Sequence, residues 1–226
     1  MALLATAAPA QAGDPLNAVR AFCQADGQGA RLAPGTWPSV GGLVAWALEP
    51  AWDHVNLIRG YEVSSPQQRN GAVTVEVKYT LSEVVRSTGV ASAERVETRT
   101  YVLEPSPTAG GWRLRAPAPP PYVFANQVDA AALAALLEPG KSDYVSNSAF
   151  VWQLLKGAGW ELPYADVAAL ATAPGLAPAR TAQVGDLVLY YDGDTPYHVG
   201  VVESDDQVVS ATINAGIRRA PFAAFA

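Results

Sequence analysis

Residues 72–81 alternate apolar and polar side chains: Val73, Val75, Val77, Tyr79 and Leu81 fall between Thr74, Glu76, Lys78 and Thr80. A period of two predicts an extended strand with one face buried and the other wet. Upstream the period is helical. Leu16, Val19, Arg20 and Cys23 recur at helix spacing with Phe22 beside them, behind Asp14 as N-cap and Pro15 at the first helical position. Gly27 and Gly29 end that run. After Pro34-Gly35-Thr36-Trp37-Pro38, residues 40–48 read as a second helical or turn-rich piece, with Leu43 and Trp46 directed at the first helix. Further strands are expected over 54–63, 95–103 and 112–116. Helices followed by an antiparallel sheet form an α+β layout.

The pattern then breaks. Ala116-Pro117-Ala118-Pro119-Pro120-Pro121 lacks the N–H donors a central strand needs and favours extended geometry, so it reads as a stiff spacer. Residues 126–137 predict a helix stopped at Pro139-Gly140, and residues 146–157 predict another, stopped by Gly157 and Gly159. Three runs rich in β-branched residues follow at 183–190, 197–202 and 207–212, separated by Asp, Gly and Pro clusters. They predict an antiparallel meander. The expected organisation is a leader over 1–13, an α+β domain over 14–116, a Pro-rich linker over 117–128 and a second domain over 129–226.

The chain has only two histidines, His54 and His198. An imidazole is the usual general base near neutral pH, and His198 enters the middle run of the meander as Tyr197-His198-Val199-Gly200-Val201. His54, alone on the first sheet, reads as a packing or rim residue. The strand Gln183-Val184-Gly185-Asp186-Leu187-Val188 followed by His198-Val199-Gly200-Val201 resembles the C-terminal half of the NlpC/P60 cysteine peptidases, papain-like enzymes of bacterial cell walls. In that family a cysteine opens the upstream helix within a pattern close to Asp-Cys-Ser-Gly-Phe-Val. The matching stretch here is Ser146-Asn147-Ser148-Ala149-Phe150-Val151, with Asn147 at the cysteine position, and the third catalytic position falls on Ser210. The resemblance covers residues 140 to 226 and implies a papain-like fold. It also implies that His198, Asn147 and Ser210 occupy catalytic positions.

A carboxamide has no accessible anion and forms no acyl intermediate, so the expected domain is a pseudo-peptidase. Two noncatalytic roles stay open. In one, Tyr144, Ser146, Asn147, Ser148, Tyr197 and His198 frame a polar, aromatic-edged cleft for a cell-wall peptide or glycan; in the other, the domain is a docking platform for a protein. Two further alternatives stand beside these: a hydrolase of peptidoglycan amides using Ser148 as nucleophile near His198, and an inhibitor or immunity-type module.

The order of helices and strands over 14–116 resembles NTF2-like or cystatin-like domains, in which a bent sheet wraps a helix. Net charge is −6 and the only paired basic residues are Arg218-Arg219, which excludes general nucleic-acid binding. The start of the chain, closing on Ala10-Gln11-Ala12, matches the small-residue rule of a signal cleavage site without a basic region before it. An exported protein, periplasmic or secreted, is therefore expected. No membrane span, cofactor or metal site is expected. Cys23, the only cysteine, permits no internal disulfide and reads as a small buried hydrophobe.

Overall fold

A computed structural model describes residues 13–69, 71–107, 111–115, 117–140, 145–161 and 163–225. The fold is mixed α+β, with a curled half-barrel sheet, a second sheet and few helices. Helix α1, Pro15–Gly27, begins where Asp14 accepts a hydrogen bond from the Leu16 amide, and it buries Val19, Phe22 and Cys23. A short helix α2, Pro38–Gly41, follows.

The first sheet is built from β1 (His54–Val63), β2 (Gln67–Arg69), β3 (Ala72–Arg86), β4 (Gly89–Pro105), β5 (Trp112–Leu114) and β6 (Tyr122–Phe124). Its order is β5-β4-β3-β1-β6, with β2 alongside β3. β1 and β3 pair antiparallel with register shifts around Leu57, Ile58 and Gly60, and β3 and β4 shift between Leu81 and Glu83. Such bulges bend strands and increase their twist. The sheet consequently curls, and α1 packs against β1, β3, β5 and β6.

Of the expectations for this half, one is narrowed and one needs correction. The helical or turn-rich piece expected over 40–48 is helical only to Gly41 and turns beyond it, where Leu43 and Ala45 pair with Leu114: Leu114 N donates to Leu43 O and Ala45 N to Leu114 O. The Pro-rich stretch does not behave as a spacer. Ala118 to Val123 are buried, Pro121 O accepts from Asn56 N, and the chain continues into β6, parallel to β1. The prolines end before β6 begins, and Pro121 joins the ladder only through its carbonyl, which needs no N–H donor.

The second half carries α3 (Ala130–Leu137), α4 (Asn147–Gly157) and α5 (Val167–Leu170), then β7 (Leu187–Asp192), β8 (Thr195–Ser204), β9 (Gln207–Thr212) and β10 (Gly216–Pro221). A 3-10 turn, Phe222–Phe225, follows. The four strands form an antiparallel sheet in the order β10-β9-β8-β7. Helix α3 begins at Ala130, later than expected, because Asp129 caps it through the Ala131 and Ala132 amides. Neither β10 nor α5 was expected from the sequence.

One apolar cluster runs through both sheets, from Phe22 and Trp52 to Val199 and Val208, and a second, smaller one packs Leu133 and Leu137 of α3 against Val55, Leu57, Val85 and Val123. The segment 47–53 ties the two sheets at the backbone: Ile213 N donates to Glu49 O (2.8 Å) and Ala51 N to Ala211 O (3.2 Å). Asp192 ends β7 and pairs with Arg99 of β4 at 2.8 Å. Arg86 and Asp166 add a bridge from β3 to α5 at 3.0 Å.

Candidate functional site

The head of α4 is built from Ser146, Asn147 and Ser148. Ser146 has the extended backbone of an N-cap and its Oγ accepts from Ala149 N. Asn147 N and Nδ2 both donate to Ala51 O, at 2.7 and 2.8 Å. The carboxamide is thereby held by the incoming 47–53 segment, and its Oδ1 has no partner among the described residues. Ser148 Oγ donates to Asp53 Oδ1 at 2.7 Å and lies 2.8 Å from Tyr164 Oη.

Asp53 is the residue the sequence reasoning missed. Its carboxylate accepts from Ser148 N and from Ser148 Oγ through one oxygen and from Val167 N through the other, so one buried anion serves the N-termini of both α4 and α5. Helix N-termini favour negative charge. Burial pushes the Asp53 carboxyl above its ordinary range, and the bonds from Ser148, Ser146 and Val167 pull against that rise.

His198 lies inside β8, opposite Tyr190 of β7. Ser210 falls opposite Gly200, one step from the Val201–Val209 pair, so the strand period puts Ser210 and His198 on one face of the sheet. The strands crowd here: a Cβ on Gly200 would sit 3.2 Å from Val209 O and 3.4 Å from the Ser210 side chain. Helix α4 packs against β8 and β9, the strands that carry both residues. Their polar atoms do not connect: His198 Nδ1 and Nε2, Ser210 Oγ and Tyr190 Oη have no hydrogen-bond partner among the described residues.

His198 is wholly shielded from solvent, as are Asn147, Ser148 and Ser210. The Phe225 ring covers the imidazole at 4.1 Å between centroids, and Tyr197 Oη donates to Phe225 O. Burial alone pulls the His198 pKa down to about 3, so the ring is neutral at physiological pH. The expected polar cleft is closed. Of its framing residues, Ser146, Asn147, Ser148, Tyr197 and His198 are buried, and Tyr144 lies outside the described residues. Nor does Ser148 meet His198, since its hydroxyl is engaged by Asp53 and Tyr164.

A second buried polar cluster was also missed. Arg31 is fully buried between Glu49 and Asp26, with Nη2 at 2.6 Å from Glu49 Oε1 and Nη1 at 3.4 Å from Asp26 Oδ2. Nη2 also donates to Pro119 O, and Glu49 accepts from the indole N–H groups of Trp46 (2.7 Å) and Trp52 (2.6 Å). Phe22, Trp46 and Trp52 surround the guanidinium at 5.2 to 6.0 Å from ring centroids. Burial disfavours the cation, but Glu49 and Asp26 more than offset that and hold its pKa above the ordinary value. Burial raises Asp26 to about 6. The spacing Trp46, Glu49, Trp52 was the available signal, a carboxylate with an indole three residues away on either side.

Cys23 is buried, 3.2 Å from Tyr79 Oη, and burial pushes its thiol up to about 12. It is no thiolate. Among the described residues no group of three or more histidine, cysteine or acidic side chains is placed to hold a metal ion. No helix among them is long and apolar enough to cross a membrane.

Comparison with known proteins yields no matching family model, no similar curated protein and no similar solved structure.

Proposed function

We propose that residues 129–226 form a noncatalytic NlpC/P60-like module, and that the protein is exported and works by binding a protein partner rather than by cleaving peptidoglycan. The observation that carries this reading is the state of the helix head. The residue at the nucleophile position is Asn147, whose amide is spent on Ala51 O, and the imidazole has no partner among the described residues and no access to water. Acyl transfer needs a nucleophile within hydrogen-bond reach of its base and a route for substrate to both. The closed cleft favours the docking role over peptide or glycan capture at His198. The small-residue pattern Ala10-Gln11-Ala12 supports export.

Incubation with purified muropeptides, followed by chromatography of the products, tests the reading. No product is expected from the unmodified chain, and none from Asn147→Cys, because a thiol there would still be sealed in. Turnover by the unmodified chain that disappears in Ser148→Ala would overturn the proposal in favour of a serine hydrolase. Sedimentation with intact peptidoglycan should leave the protein in the supernatant.

A further inference from the structure

β10 is an edge of the second sheet, paired with β9 and with no other strand. In an antiparallel pair, alternate residues of an edge strand turn their N–H and C=O groups away from the neighbour. Among the described residues no backbone group meets the outer side of β10. Its side chains are exposed from Gly216 to Arg219, and Ile217 is 56% exposed.

Ile217 also forms the ridge between two apolar depressions. One, of about 720 Å³, is lined by Phe150, Leu154, Val184, Val201 and Val209 beside Arg218 and Arg219. The other, of about 560 Å³, is lined by Leu32, Pro34, Leu136, Val145 and Ile213. Val184 and Leu154, 71% and 43% exposed, leave apolar surface at the first. An open strand edge with apolar hollows on either side of it suits an extended peptide: the ladder supplies affinity and alternate side chains fill the hollows.

Charge says which peptide. Arg219 is held by Glu203, whereas Arg218 has no ion pair or hydrogen bond among the described residues. A second copy of this chain is a poor occupant. Antiparallel pairing of two β10 strands in full overlap would set Arg218 of one copy against Arg219 of the other, and like charges directly opposite are destabilising.

We propose that β10 is a docking edge for an extended segment of another protein, one that alternates apolar residues with carboxylates and extends the second sheet by one strand. A carboxylate of that segment pairs with Arg218, and its apolar side chains enter the hollows beside Ile217. This deepens the partner-binding reading and rests on it.

The test is a titration of the whole protein with a blocked hexapeptide alternating valine and glutamate, followed by backbone amide NMR. Saturable shifts are expected, concentrated at residues 216–221 and in the two hollows, and weakening as salt is added. Arg218→Glu should weaken binding about tenfold, the loss of one charge-assisted contact. Ile217→Thr, which keeps strand propensity, should weaken it several-fold. Both side chains are exposed, so melting temperature should not move, which separates lost binding from lost fold. The same peptide with lysine for glutamate should not bind.

The proposal is overturned by no saturable shift, by equal binding of the lysine peptide, or by an unchanged affinity in Arg218→Glu. Concentration-dependent self-association abolished by Arg218→Glu also overturns it, by making a second copy the occupant. The two readings fail separately. Hydrolysis of muropeptides defeats the noncatalytic reading, whereas a silent peptide titration without hydrolysis defeats only the docking edge.

Discussion

The Arg31 cluster and the His198 cluster are equally shut away from water, and they differ in what their polar atoms touch. Around Arg31, Glu49 and both tryptophan N–H groups are matched, and a single oxygen of Asp26 is left over. Around His198 both ring nitrogens, Tyr190 Oη and Ser210 Oγ are all left over among the described residues. Breaking a paired buried charge strands its partner, whereas removing an unpaired neutral group strands nothing. Burial alone is therefore no measure of importance. The first cluster holds the fold, and the second is a set of unpaired polar groups that the fold tolerates.

The largest test of that contrast is Glu49→Gln. It keeps the volume and leaves Arg31 without its main counter-charge, and should cost about 3–5 kcal/mol in chemical denaturation. A loss below about 1 kcal/mol would show that the cluster is not structural.

Asp53→Asn comes next. An amide offers one acceptor oxygen where Ser148 and Val167 use two, and it brings unpaired donors to two helix N-termini. The expected cost is about 2–3 kcal/mol. Asp53 resembles the Arg31 cluster in this respect, although it sits at the head of α4.

Acid sharpens the comparison. His198 has a folded pKa near 3, below the 6.5 of an unfolded histidine. As pH falls below 6.5 the unfolded chain takes up a proton that the folded chain refuses, so stability is fully present above that pH and is lost on acidification. His54, lowered to about 4 by burial and by Arg86, acts in the same direction, and Asp26, raised to about 6, acts in the opposite one. The difference between parent and His198→Phe isolates one ring. Between pH 7 and pH 5 the variant should lose about 2 kcal/mol less than the parent. Parallel pH profiles would mean that His198 protonates within the fold.

The smallest effect is expected for His198→Phe at pH 7. A ring of similar shape replaces an unpaired imidazole beside Phe225, and stability should stay within about 1 kcal/mol of the parent. A large loss would reveal a partner for the imidazole and erase the contrast.

Elements with strong periodicity were legible in the sequence. The alternation at 72–81 marks β3, and the capped run after Asp14 marks α1 at its observed bounds. Elements made by pairing were not. Residues 122–124 become β6 only because β1 lies beside them, and residues 43–45 leave helix geometry because Leu114 offers a backbone ladder. At the site, the helix that starts after Ser146 and the strands carrying His198 and Ser210 were legible from their periodicity. Closure was not, because it depends on Ala51, Asp53 and Phe225, which contact those residues from distant stretches of chain. Polarity in a sequence says which side chains want partners. Only the packed chain says whether they get them.

The reach of Asp53 bears on synthesis. Ser148 lies 95 residues downstream of it. A ribosome adding roughly 5–20 residues per second leaves that carboxylate waiting on the order of ten seconds for the helix it serves. The first sheet is complete at Phe124, but Asp53 stays without its Ser148 and Val167 partners until α4 and α5 emerge, and a nascent chain stalled before α4 should be an easier target for proteases than the finished protein.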